Sequence, residues 1–180
     1  MRLKKEDAIL VIIDFQEKLM PAIKDNEEIS RSVEILIKGC RIMGVPIIVT
    51  QQYTKGLGDT IPSIKEAIGD QTAIEKTSFS CCGETVFSER LIEIQQKSVI
   101  IAGVEAHICV QQTVLDLLEK GYKVFIAADC IGSRKEIDKE IALRRMENSG
   151  AVVTTGEAVL FELCGGAKTE GFKEISKLVK

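Results

Sequence analysis

Six short apolar runs, rich in β-branched residues, punctuate this 180-residue chain, and the longer stretches between them repeat apolar residues at helical spacing. The runs are Ala8–Ile13 (AILVII), Val45–Thr50 (VPIIVT), Ala73–Lys76 (AIEK), Ser98–Val104 (SVIIAGV), Lys123–Ala128 (KVFIAA) and Ala151–Thr155 (AVVTT). They are continuous rather than alternating, which is the pattern of strands covered on both faces in a parallel sheet. Between them the spacing predicts helices over Glu27–Met43, Glu84–Gln96 and Cys109–Lys120, a fourth from Ser133 to just before Gly150, and shorter ones at Glu157–Leu163 and Phe172–Val179. Asn26 stands where a cap belongs, Gly44 and Gly121 where helices stop, and Ser133 with Glu136 forms a capping-box pattern. Strands alternating with helices in this way build an α/β fold: a three-layer αβα sandwich, Rossmann-like, around a six-stranded, mostly parallel sheet. With no linker, repeat or low-complexity tract, residues 1–180 are expected to form one domain.

Hydrophobic residues make up 45% of the chain and charged residues 28%, so neither disorder nor a membrane class is expected. A net charge of −3 argues against a nucleic-acid surface, and 4% aromatics without tryptophan argues against base stacking. No run reaches the about 18 apolar residues of a membrane span, and Asp14 interrupts the N-terminal run, against a secretory signal. Cysteines 40, 81, 82, 109, 130 and 164 are irregularly spaced, with no metal-type pairs. They read as free thiols in a reducing compartment. The expectation is a cytoplasmic protein, with no metal or cofactor signalled and without nucleic-acid or membrane partners.

In open α/β sheets ligands bind beyond the carboxyl ends of the strands. Those ends carry Asp14, Gln51 and Gln52, Lys76, the group Glu105, Ala106, His107 and Cys109, then Asp129 and Thr155. Dinucleotide and P-loop glycine patterns are missing, and so is a nucleophile elbow. The long irregular stretch Gln51–Thr72 is either functional or a surface excursion with a short helix at Ile64–Ile68. Three chemically capable groups remain. Cys109 opens a predicted helix, whose dipole is expected to lower its pKa. Asp14 ends a wholly apolar strand, where a carboxylate is costly unless paired. Lys76 is the basic residue of its strand and can hold that acid ionised. Together they make an acid, a cation and a thiol for nucleophilic catalysis. Taken singly, each also admits an ordinary structural role.

The segments D-F-Q at Asp14–Gln16, K-T-S-F-S at Lys76–Ser80 and G-V-E-A-H-I-C-V-Q-Q-T at Gly103–Thr113 resemble the isochorismatase-like cysteine hydrolases. I-I-V-T-Q-Q-Y-T-K-G-L-G at Ile47–Gly58 is similar to the branch of isochorismatase domain-containing proteins. The resemblance runs from about Ala8 to Val179. It implies strand order 3-2-1-4-5-6 and a catalytic triad on Asp14, Lys76 and Cys109. It also implies a cis bond between Val104 and Glu105 that turns the Glu105 amide, with that of Cys109, toward a substrate oxygen. Gln16, Gln51, Tyr53, Phe79 and Ala106 fall where the pocket is expected.

The implied activity is hydrolysis of a small amide through a thioester. Acid–base cleavage of a vinyl ether, or a binding module that keeps the fold without turnover, are the alternatives. The metal of the family's nicotinamidases needs an aspartate and two histidines, and this chain has one histidine. Relatives commonly form dimers or tetramers, so a homo-oligomer is expected. Gln51, Thr54 and Ala106 depart from the family's usual Glu, Pro and Thr and bear on substrate choice. His107 reads as a junction residue bonded to backbone, and Cys81–Cys82 as a small-residue turn.

Overall fold

A computed structural model describes residues 2–180. The strands are β1 (Ala8–Ile13), β2 (Ile47–Gln52), β3 (Ile74–Lys76), β4 (Ser98–Val104), β5 (Lys123–Gly132) and β6 (Val152–Thr154). The helices are α1 (Asn26–Ile42), α2 (Thr54–Leu57), α3 (Pro62–Ile68), α4 (Thr85–Ile94), α5 (Gln111–Glu119), α6 (Glu136–Asn148), α7 (Gly156–Cys164) and α8 (Phe172–Leu178). The strands form one sheet in the order β3-β2-β1-β4-β5-β6. Every strand pair is parallel, where the sequence led us to expect a mostly parallel sheet.

Strands β1 and β4 are buried at every position, because apolar side chains leave both faces of each strand. On one face Leu10, Ile12, Ile47, Val49, Ile100 and Phe125 pack against α1, α3, α7 and α8. On the other, Ile9, Val11, Ile13, Val99 and Ile101 pack against Phe87 and Leu91 of α4, Val114 and Leu117 of α5, and Ala142 and Met146 of α6. Consecutive connections diverge after β1, to β2 on one side and to β4 on the other. The carboxyl ends of β1 and β4 therefore bound the crevice where strand order reverses.

Local details depart from the sequence expectations in three places. The residue flanking the start of α1 is Asp25, at a left-handed φ of 55°, while Asn26 lies inside the helix and donates to Ile23 O at 3.1 Å. Ser133 is no cap: β5 continues past Ala128 to Gly132 through an irregular register, carrying Ser133 inward, and α6 begins at Glu136. The helix expected to open at Cys109 is preceded by a π-helical turn, Ala106–Val110, so Cys109 is the turn's fourth residue. Gly44 and Gly121 do end their helices at positive φ, 71° and 82°.

The irregular stretch after β2 contains α2 and α3. Its middle is tied back to the exit of β1 by Glu17 N to Asp59 O, Lys18 N to Leu57 O and Ile61 N to Phe15 O, at 3.0, 3.0 and 2.9 Å. The Val104–Glu105 bond is cis. Among the described residues no helix is long and apolar enough to cross a membrane.

Candidate active site

Asp14 follows β1 with a left-handed φ of 58°, a conformation that aspartate tolerates better than most side chains. Its carboxylate is fully buried and spans two neighbours. Oδ1 accepts from Thr50 Oγ1 at 2.8 Å, and Oδ2 lies 2.7 Å from Lys76 Nζ. That second contact pairs the two opposite charges directly, and the Cys109 thiol is the other group that interacts with this carboxylate.

Lys76 ends β3 and is 1% exposed. Its ammonium donates to Gln52 Oε1 at 2.6 Å, Phe79 O at 3.0 Å and Ser78 O at 3.3 Å. Burial works against the charged form, but the neighbouring Asp14 carboxylate, by charge and by hydrogen bond, prevails and lifts its pKa above the ordinary lysine value. The lysine therefore stays charged inside the protein, as a buried cation does only when paired and fully bonded.

Cys109 is 6% exposed, and its thiol interacts with both charged partners. Burial pushes its pKa up to about 12, the Asp14 carboxylate adds to the rise, and Lys76 opposes it. The expected lowering by the helix dipole is thus reversed. Desolvation and an adjacent anion outweigh the partial charge of a helix end, all the more because the sulfur sits four residues into the turn. The resting arrangement is thiol, carboxylate and ammonium.

The remaining residues divide by what they touch. Gln16 is fully buried and committed to backbone: Oε1 accepts from Gln52 N at 2.7 Å, while Nε2 donates to Gln52 O and Gly58 O at 2.9 and 2.8 Å. It anchors the end of β2 instead of lining a pocket. Gln51 faces away from Thr50, as strand alternation requires, and its amide bonds Asp59 Oδ1 at 2.5 Å and Thr60 Oγ1 at 3.0 Å. Ala106 is buried in the core beside α5, and Val104 in the core on the opposite face. Tyr53 and Phe79 stay at the rim, 52% and 53% exposed, each tied to Lys76 through its backbone. Tyr53 N donates to Lys76 O at 2.9 Å. Its left-handed φ of 35°, rare for a bulky residue, sits beside Gly56, where any Cβ would meet the Tyr53 ring at 2.4 Å.

Residues that the sequence reasoning left outside the triad and the pocket hold the site or its surroundings. Thr50 and Gln52 hold Asp14 and Lys76, and strand alternation from Thr50 was the signal that singles out Gln52 over Gln51. Cys81 is buried, with Sγ 3.9 Å from Thr50 Oγ1 and its amide donating to Thr113 Oγ1 at 2.9 Å. Thr113 Oγ1 in turn donates to Cys109 O at 2.7 Å. The loop leaving Lys76 is fixed by Glu84, which accepts from Thr77 N, Ser78 N and Ser78 Oγ; these bonds hold its carboxyl below the usual range. His107 pairs its Nδ1 with Ser133 Oγ at 3.1 Å and lies 3.9 Å from Asp138, so it docks on side chains around α6 instead of backbone. Asp129 and Thr155 serve the start of α7: Gly156 N donates to Asp129 Oδ1 at 2.7 Å, and Ala158 N to Thr155 Oγ1 at 3.3 Å.

Comparison with known proteins places this geometry. Residues 8–158 match the Isochorismatase domain model. Isochorismatase domain-containing protein 2 of Danio rerio is 40% identical over 99% of this chain and 89% of its own length. The MAR1 ribonuclease structure from Caenorhabditis elegans superposes with a TM-score of 0.95 at 39% identity, covering 99% of this chain and 92% of that one. The YcaC gene product of Escherichia coli, described as an octameric hydrolase of unknown specificity, gives a TM-score of 0.93 at 26% identity, over 99% and 90%. With the family model spanning most of the sequence and these likenesses running nearly end to end, the chain belongs to the isochorismatase family.

Proposed function

We propose that this protein is a cysteine hydrolase that cleaves the C–N bond of a small-molecule amide through a thioester on Cys109. The reading is carried by one observation: the buried Asp14 carboxylate is held 2.7 Å from a buried ammonium and interacts with the thiol of Cys109, in the π-helical turn that leads into α5. Asp14 takes the thiol proton, and the sulfur attacks the amide carbon. The Glu105 and Cys109 backbone amides receive the oxyanion. Asp14 returns the proton to the leaving amine, and the same carboxylate then activates the water that hydrolyses the thioester. Lys76 balances the anionic charge as it moves between oxygen and sulfur. Because the thiol is held near 12, the thiolate forms by transfer to Asp14 during the reaction and is not stored in the resting enzyme.

Tyr53 and Phe79 border the substrate. A homo-oligomer is part of the same reading, supported by the octameric state described for YcaC, and sedimentation velocity measures it directly. The name of the Caenorhabditis elegans neighbour brings phosphodiester cleavage as a second reading. The net charge of −3 and a single histidine, engaged by Ser133, favour the amide reading instead.

Screening small amides and ureas, with Cys109→Ala as the blank, tests the proposal. Mass spectrometry of a quenched turnover mixture is expected to find the substrate's acyl group on Cys109. Full turnover by Cys109→Ala on a confirmed substrate overturns covalent catalysis.

A further inference from the structure

The sheet divides the cysteines. Cys40, Cys130 and Cys164 lie in the core on the α1 side, whereas Cys81 and Cys109 lie in the core on the α5 side, with Cys82 packed against its margin. The first three are therefore walled off from Cys109 by the strands. Cys81 is 1% exposed, and the hydrolytic steps above make no use of it. A buried thiol on the same face as a nucleophilic thiol invites the question of what the second sulfur can do.

Cys81 shares the surroundings of Cys109. Its Sγ lies 3.9 Å from Thr50 Oγ1, which donates to Asp14 Oδ1 at 2.8 Å. Thr113 Oγ1 accepts from Cys81 N at 2.9 Å and donates to Cys109 O at 2.7 Å, so one oxygen bridges the two cysteine backbones. A shared hydroxyl of this kind works on the scale at which a disulfide joins Cα atoms, about 4.4–6.8 Å. The Asp14 carboxylate and the Lys76 ammonium act on both sulfurs. Cys82 is placed differently: its amide donates to Ser80 Oγ at 3.2 Å, and the charges that act on it are those of Asp116 and Lys120.

We infer that Cys81 and Cys109 form a paired oxidation site for hydrogen peroxide, in which Cys81 captures oxidised Cys109 as a disulfide and so switches the nucleophile off reversibly. This rests on the reading of Cys109 as the nucleophile and adds a regulation to it. Cys109 is 6% exposed against 1% for Cys81, so the oxidant meets Cys109 first. Asp14 takes the Cys109 proton, the sulfur attacks a peroxide oxygen and the O–O bond breaks. The departing hydroxide takes the proton back from Asp14 and leaves as water, and Cys109 is a sulfenic acid. Cys81 then gives its proton to Asp14 and attacks the Cys109 sulfur; the S–O bond breaks, and a second hydroxide leaves with that proton as water. Both thiols are oxidised to one disulfide, and the peroxide is reduced to water. A dithiol reductant reverses the state.

Peroxide treatment of the folded protein tests this without knowledge of the substrate. Remaining thiols are blocked with N-ethylmaleimide in denaturant, and non-reduced tryptic peptides are mapped by mass spectrometry. Cys81 and Cys82 fall in one tryptic peptide, Thr77–Arg90, so Cys82→Ala is mapped beside the wild type. In both proteins the Cys81 peptide is expected to be cross-linked to Ser98–Lys120, which carries Cys109. Labelling of Cys109 by iodoacetamide should be lost with the cross-link and return after dithiothreitol. In Cys81→Ala the loss should become permanent, because unresolved Cys109 runs on to sulfinic acid.

The cross-link in Cys82→Ala carries the proposal even where Cys81→Ala fails to fold. A Cys81–Cys82 disulfide, a cross-link that survives in Cys81→Ala, or sulfinic acid at Cys109 with Cys81 still reduced overturns the pair. The first of these leaves the nucleophile reading untouched, and the other two support it by finding Cys109 oxidised. Cys109 left unoxidised under peroxide that consumes a free cysteine peptide overturns both.

Discussion

Asp14 and Lys76 are each intolerable alone in a dry interior, and their pairing explains both the position and the rigidity of the site. Lys76→Met is expected to lower stability by about 3–5 kcal/mol in urea unfolding, because it strands the Asp14 carboxylate. Adding Asp14→Asn should recover most of that loss, and a double variant as unstable as the single one would show that packing, not charge, is at stake. Both residues are legible in sequence because a charge that terminates an apolar run stands out. Their partners are not. Thr50 and Gln52 read as ordinary strand residues until the Ile13–Thr50 register aligns β2 with the exit of β1. Gln51 stands next to Gln52 in sequence, yet alternation turns it to the α3 side. The direction of the Cys109 shift was equally hidden, since the dipole is a local property while burial and the Asp14 charge come from distant segments.

At the level of elements, the π-helical turn is held down by close approach. A Cβ on Gly103 of β4 would lie 2.7 Å from Ile13 Cβ and 2.9 Å from Val110 Cγ2, so β4 meets β1 and the turn with no room for a side chain. Gly103→Ala is expected to cost about 1–3 kcal/mol through overpacking. It should also slow alkylation of Cys109 by iodoacetamide relative to the wild type at matched pH, since relief requires the turn to lift. An unchanged rate with unchanged stability would mean that the turn adapts freely. The glycine was visible in the motif Gly103–Thr113, but its reason was not: the contact joins residues 13, 103 and 110. On the far side, α6 meets the same turn through His107, Ser133 and Asp138. Drawing Ser133 into that contact removes it from the capping role its spacing suggested.

Across the whole molecule, buried thiols make stability sensitive to alkali. Burial pushes Cys40, Cys81 and Cys109 up to about 12 and Cys82 to about 11, against an ordinary value of 9.0. Above pH 9 the unfolded chain releases protons that the folded protein retains. Stability is therefore fully present below that pH and declines as pH rises toward about 12. The slope is up to about 1.4 kcal/mol per pH unit for each thiol. Urea midpoints measured from about pH 8 to 10.5 should fall steadily, and Cys40→Ala should flatten the slope by one thiol's share. A slope unaffected by Cys40→Ala would place the alkaline loss elsewhere.

What the sequence determined by itself was the order of the elements, the covered parallel sheet and the charged residues at its carboxyl edge. Those properties follow from local periodicity and from the cost of a charge in an apolar run. Tertiary structure alone decided which side chains share a face, which charges stand beside the thiol, and that Arg134 reaches Glu105 across 29 residues. Each of these depends on register, burial and charge brought together from separate parts of the chain.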